Sequence, residues 1–102
     1  MADIDAARRG LIARILDGDG DATKAQRRAA FDDAGERSST RSLVDKVARH
    51  AARVGDDDFA AARAAGLTED QLFELVICAA VGEANRQYEA ALAALDAAEK
   101  SA

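Results

Sequence analysis

The segment that opens at Glu69 constrains the fold most, because its apolar residues surround a predicted helix instead of lining one side of it. Thr68 and Gln71 predict a capping box at its start, and residues 72–81 read LFELVICAAV. A helix that is apolar in nearly every direction must be covered all round. Unbroken, it spans about 44 Å, against roughly 33 Å for a compact monomer of this length. We therefore expect either a kink near Gly82 or a helix that extends past its own chain and packs on a second copy.

Helix is favoured along the rest of the chain as well. Alanine, arginine and leucine are abundant, proline is absent, and few residues are β-branched or aromatic. Apolar residues recur at spacings of three and four, which predicts shorter helices before the long one, over residues 3–17, 23–35, 39–55 and 56–65. The sequence thus predicts an all-α fold of about five helices with a long, buried C-terminal helix.

Charge and cysteine content limit the partners and the compartment. The net charge is −5, which disfavours nucleic acid, because phosphate contacts need clustered Lys and Arg. Residues 1–54 carry a net charge of +2 and residues 55–102 carry −7. These charges either belong to solvated helix faces, the expected case because surface ion pairs are weak, or let the halves attract each other within one molecule or between copies. The longest apolar run, residues 75–81, is far too short for a membrane span. We expect a cytoplasmic protein without nucleic-acid or membrane partners.

Neither a metal nor a cofactor is predicted. Residues 17–21 read DGDGD, like the opening of an EF-hand calcium loop, but Ala22 replaces the glycine and Arg28 the glutamate that such a loop needs. A polar loop between helices is therefore the expectation. Cys78 is the single cysteine, so it forms no intrachain disulfide. It stands in the apolar run and is therefore expected to be buried and inert.

Three polar residues are candidates for a catalytic site: His50, Glu74 and Arg86. Glu74 stands among apolar residues, where an ionised carboxylate needs a partner. It either lies at a wet edge, or pairs with an arginine such as Arg49 or Arg53, or occupies an apolar pocket and serves as an acid or base. His50, the single histidine, is typical of a boundary residue and is the alternative base.

The helix–turn–helix pattern in the second half of the chain resembles a known family. Residues 61–76 read AARAAGLTEDQLFELV, and small residues continue to Leu92. This pattern resembles the carboxymuconolactone decarboxylase and alkylhydroperoxidase D-like (AhpD-like) family over residues 41–96. The resemblance implies an orthogonal helical bundle that assembles as dimers, trimers or hexamers through its long helices. It also implies an N-terminal extension over residues 1–36 and a family core over residues 37–102.

The redox centre of that family is missing from this sequence. Peroxidase-type members carry a Cys-x-x-Cys pair and a following His before the Gly-Leu-Thr turn. The corresponding positions hold Ala51, Val54 and Asp58 here. Thiol peroxidase chemistry is therefore not expected, whereas decarboxylase-type members do not use the cysteine pair.

Two functional hypotheses follow from these residues. The first is a homo-oligomer joined through the long C-terminal helix, which acts by assembly or by binding a small molecule. The second is a cysteine-independent enzyme that handles a small acid or lactone in a pocket between subunits. In that enzyme His50 would be the base, Glu74 the acid and Arg86 the carboxylate clamp, and the three side chains would converge on one cavity.

Overall fold

The computed structural model describes residues 2–34 and 39–101, and within them the chain forms five α-helices, one 3-10 turn and no strand. The all-α prediction is therefore confirmed. The helices are α1 (Ala2–Asp17), α2 (Lys24–Phe31), α3 (Ser39–Arg49), α4 (Asp56–Ala64) and α5 (Glu69–Ser101), and the 3-10 turn spans Ala51–Arg53.

The long helix α5 runs unbroken through Gly82, with 33 residues. Its rise is about 50 Å, and the longest dimension of the molecule is 53 Å. The other four helices all contact α5, and the side chains of residues 89–101 are all exposed. The sequence left two alternatives open, a kink near Gly82 or a straight helix that extends beyond the other helices. The structure has the second. That a second copy covers it stays a prediction.

Two clusters of buried side chains form the core along one side of α5. The smaller cluster joins α3 and α4 to the start of α5 through Leu43, Ala62 and Leu72. The larger cluster joins α1, α2 and α3 to the next turns of α5, and its members are Leu16, Ala22, Ala30, Phe31, Val44, Leu75, Cys78 and Ala79. Helices α1 and α2 thus supply part of the same core as the C-terminal half. The predicted boundary between residues 36 and 37 lies outside the described residues.

Both predicted capping boxes are formed. The Thr23 N–H donates to Gln26 Oε1 at 2.9 Å and the Gln26 N–H to Thr23 Oγ1 at 3.0 Å. The equivalent bonds between Thr68 and Gln71 measure 2.9 and 3.1 Å. Gly66, between α4 and α5, has a φ of +108°, a backbone conformation that residues other than glycine rarely adopt. The start of α5 is therefore fixed by local sequence.

Helix α3 ends at Arg49, so the prediction of a helix to Gly55 is wrong. His50 leaves the helical region, with φ −141° and ψ 50°, and the 3-10 turn follows it. The turn is closed by the N–H of Arg53, which donates to the His50 carbonyl at 2.8 Å. This change of direction is what lets α4 pack back on α3.

One carboxylate holds α4 against α3. Lys46 Nζ donates to Asp58 Oδ1 at 2.8 Å, and the N–H of Gly55 donates to Asp58 Oδ2 at 2.9 Å. These bonds, that from Lys46 first, lower the pKa of the Asp58 carboxyl. A helix continued to Gly55 would carry Asp58 away from Lys46, which explains the early end of α3.

Helix α2 also ends early, at Phe31 instead of near Gly35. Asp33 lies in the left-handed region, with φ 53°, which stops the helix. The Phe31 carbonyl accepts a bond of 2.6 Å from Arg86 Nη1 on α5. The two backbones are close enough that a Cβ at Gly82 would lie 2.9 Å from Phe31 Cα. The end of α2 is therefore set by its contact with α5.

Gly82→Ala is expected to lower the free energy of unfolding by about 1–3 kcal/mol, because the added methyl group meets backbone atoms of Phe31. Gly10→Ala is the matched control. No atom lies within 4 Å of a Cβ at Gly10, so this change should raise the free energy of unfolding by about 0.5–1 kcal/mol. Chemical denaturation followed by circular dichroism measures both. Equal effects would contradict the close packing of α2 on α5.

Candidate functional site

Glu74 holds the loop between α1 and α2 on the side of α5. The N–H of Asp21 donates to both oxygens of the carboxylate, at 2.9 and 3.0 Å, and the N–H of Ala22 donates to Oε2 at 2.6 Å. Both oxygens are thus occupied by backbone amides at the entrance to α2. Neither predicted arginine takes this role, since Arg49 bonds to Asp33 and Asp45 instead.

Arg86 holds the other end of α2. Its Nη1 donates to the Phe31 carbonyl, and its Nη2 and Nε donate to Glu83 Oε2 at 3.0 and 3.2 Å. The contact with Arg86 is the first cause of a lowered pKa of the Glu83 carboxyl. A guanidinium engaged by a carbonyl and a carboxylate of its own chain is a poor clamp for a ligand carboxylate.

The three predicted site residues do not meet within one chain. Glu74 and Arg86 are separated by about 18 Å of helix rise and contact opposite ends of α2. His50 is exposed between α3 and the 3-10 turn. The groove that Glu74 lines contains neither His50 nor Arg86. The geometry of the single chain does not assemble the proposed base, acid and clamp.

This groove lies between α1 and α5 and has a volume of about 330 Å³. Its floor includes Arg27, which is 5% exposed and donates from Nη1 to the carbonyls of Ile15 and Gly18, at 3.2 and 2.7 Å. The guanidinium thereby caps the negative end of α1. Sequence reasoning missed Arg27, because nothing in the local pattern separates it from Arg28, which is exposed.

Cys78 lines the same groove but is itself buried. Its Sγ lies 3.7 Å from the Ile15 carbonyl. Burial raises the pKa of the Cys78 thiol, partly offset by the nearby Arg27. A protonated thiol is a weak nucleophile, which agrees with the inert cysteine that the sequence predicts.

The loop at residues 17–21 binds Glu74 through the N–H of Asp21, and the N–H of Ala22 directly after the loop binds the same carboxylate. Within residues 2–34 and 39–101, no group of three or more His, Cys, Asp or Glu side chains is placed to hold a metal ion. Among the described helices, none combines the length and the apolar character that crossing a bilayer requires.

The most unusual surface of the molecule is the side of α5 opposite the core. We call it the outer face; its members recur at spacings of three and four and are Phe73, Ile77, Ala80, Ala84, Tyr88, Ala91, Leu95 and Ala98. The core residues Leu75 and Ala79 point the other way. Phe73 is 65% exposed and Leu95 is 57% exposed. No member of the outer face is charged, so a helix of this protein presents apolar residues on two opposite sides.

The apolar surface continues from α5 onto α1. Leu11 of α1 lines the groove together with Ile77 of the outer face. Ile4 lies two turns before Leu11, and both are more than half exposed, as is Leu95 farther along α5. The sequence predicts that the helix is covered all round at residues 72–81. Val76 packs on the smaller core cluster and Val81 on the larger one. Both, like Ile77, are half-buried, so the single chain covers most but not all of each side chain.

Comparison with known proteins adds no family to this geometry. No family model, no curated protein and no solved structure matches the chain. The resemblance of residues 61–76 to the AhpD-like family therefore stays a prediction. The surfaces and contacts of the chain itself carry the functional evidence.

Glu74→Gln tests whether Glu74 anchors the loop. We expect the free energy of unfolding to fall by about 1–3 kcal/mol, because the amide group has one acceptor oxygen for the N–H groups of Asp21 and Ala22. Hydrogen exchange at those two amides should become faster. Glu99→Gln, on the exposed end of the same helix, is the control and should change neither quantity. Unchanged exchange in Glu74→Gln would show that the carboxylate is not an anchor.

Proposed function

We propose that the protein is a self-assembling helical module whose outer face on α5 binds a second copy of the chain. The observation that carries the proposal is the uncharged apolar stripe from Phe73 to Leu95. Helix α1 of the same chain meets one edge of it, at Ile77 and Tyr88, and the rest of the stripe is open. Contiguous apolar surface of this extent on a small acidic protein is typical of an interaction site.

The size of the surface supports a specific contact. The outer face is about 38 Å long and one helix wide, and α1 adds a second strip about 24 Å long beside it. Together they offer roughly 600 Å² per copy, or about 1,200 Å² for a pair, which reaches the range of stable interfaces. Non-specific contacts between molecules in crystals bury a smaller area and are poorly packed.

The free end of α5 supports the same conclusion. Residues 90–101 form about three helical turns whose side chains are all exposed. An isolated helix of that length is marginal in water even when it is rich in alanine. Packing on a second copy would supply the stabilisation that this end of the helix does not receive from its own core.

The resemblance to the AhpD-like family adds support of the same kind, because that family assembles through its long helices. The module would lack the family's redox chemistry, since Ala51 and Val54 stand at the cysteine positions. A cytoplasmic location and a small ligand in the assembled protein are part of this proposal. The enzyme hypothesis has no such support, because His50, Glu74 and Arg86 lie apart. Glu74 and Arg86 also bind backbone groups elsewhere in the same chain.

Leu95→Glu is expected to weaken self-association at least tenfold, about 1.4 kcal/mol, because a carboxylate would enter an apolar interface. Ala93→Glu is the matched control, since Ala93 is exposed on the same turn but points away from the outer face. Sedimentation equilibrium over micromolar concentrations measures both. Neither change touches the core, so helicity at high concentration should be retained. A monomeric parent chain, or equal weakening by both substitutions, would overturn the proposal.

A further inference from the structure

We infer that the two copies pack their α5 helices antiparallel about Ala84, so that Leu95 of each copy covers Phe73 of the other. The inference rests on the proposed function and adds the orientation and register of the pair. Ala84 lies midway between Phe73 and Leu95, the two most exposed large members of the outer face, which is why it marks the two-fold axis.

Side-chain size along the outer face favours this register. Moving outward from Ala84, Tyr88 of one copy meets Ala80 of the other with the part of its ring that Arg8 of its own chain, 5.0 Å from the ring centre, leaves open, and Ala91 meets Ile77. At these positions a large side chain therefore faces a small one, and Ala84 faces itself at the centre. Alternation of large and small residues across facing positions is what fills an interface to the density of a protein interior.

A parallel pair would match like with like. Phe73, Ile77 and Tyr88 would each meet their own equivalents and hold the helices apart. The alanines between them would then face each other across gaps, which lose dispersion contacts. A parallel pair would also align the two helix dipoles in the same direction, whereas the antiparallel pair sets opposite ends side by side.

Leu92 gives a second, independent reason. It lies about 60° around the helix from Leu95, and it follows Asn85 by two turns on the flank where Asn85 accepts a bond from Arg8 of α1. In a parallel pair the free ends of α5 would meet only each other, so Leu92 would stay exposed. In the antiparallel pair Leu92 lies level with Val76 of the other copy, where Leu11 and Ile77 line the groove between α1 and α5.

Disulfide trapping distinguishes the orientations. Phe73→Cys and Leu95→Cys chains, one enlarged by a tag, are mixed at tens of micromolar, oxidised mildly and resolved without reductant. In the antiparallel pair, position 73 of one copy is about 33 Å from position 73 of the other, far beyond the roughly 7 Å that a disulfide tolerates. We expect the mixed disulfide between position 73 and position 95 to exceed each self-linked product at least tenfold.

The parent chain supplies the controls. Cys78 is buried with a raised thiol pKa, so it should not react and need not be replaced. Ala84→Cys should link to itself in either orientation and reports that the outer faces meet. Ala93→Cys points away from the outer face and should not link. Phe73, Leu95, Ala84 and Ala93 are all exposed in the single chain, so these variants should fold, which circular dichroism verifies.

Spin labels at Leu95→Cys provide the second measurement, with an expected separation of about 33 Å, against near contact in a parallel pair. Self-linked products at positions 73 and 95, with adjacent labels, would overturn the antiparallel inference and leave the proposed function intact. An oligomer in which none of the outer-face cysteines links would overturn both. A monomer would overturn the proposed function itself.

Discussion

The structure depends on one helix that is apolar on two opposite sides. One side of α5 carries Leu72, Leu75, Cys78 and Ala79, which the shorter helices cover. Those helices are short and rich in alanine, and only α1 reaches the edge of the outer face, where Leu11 lies beside Ile77 and Arg8 lies over the ring of Tyr88. Their cover ends near Glu89, while the helix and its apolar stripe continue to Leu95 and beyond. The same sequence therefore builds a core on one side of α5 and leaves an apolar surface exposed on the other.

The polar residues within this apolar helix are explained by the core side. Glu74 and Arg86 each satisfy backbone groups at one end of α2, and Arg27 of α2 does the same for the end of α1. Helix ends leave amides and carbonyls without partners, and burial of such groups is costly unless a side chain meets them. Three charged side chains thus position two short helices: Glu74 and Arg86 hold α2 on α5, and Arg27 holds the end of α1 on α2. In this protein a charged residue within the apolar run binds the end of a neighbouring helix, which is a structural role and not a catalytic one.

Local signals in the sequence were sufficient for the helices and for their starts. The capping boxes at Thr23 and Thr68 formed as predicted, because they involve residues three apart that need no other part of the chain. The ends of α2 and α3 were predicted too late, since both are set by distant contacts: Phe31 with Arg86, and Lys46 with Asp58. The partners of Glu74 were missed for the same reason. Every residue except proline carries a backbone N–H, so the sequence does not show which N–H groups of a remote loop will bind a side chain.

The outer face also limits the size of the proposed assembly. A contact in which both copies use the same stripe is isologous, so pairing about one two-fold axis closes after two chains. Charged side chains border the stripe: Glu89 lies near Arg8, whose guanidinium is also 5.0 Å from the centre of the Tyr88 ring, and Asp96 pairs with Lys100 on the far side of the helix end. A dimer that joins the outer faces, with α1 at the edge of the contact, is accordingly the smallest assembly that covers α5.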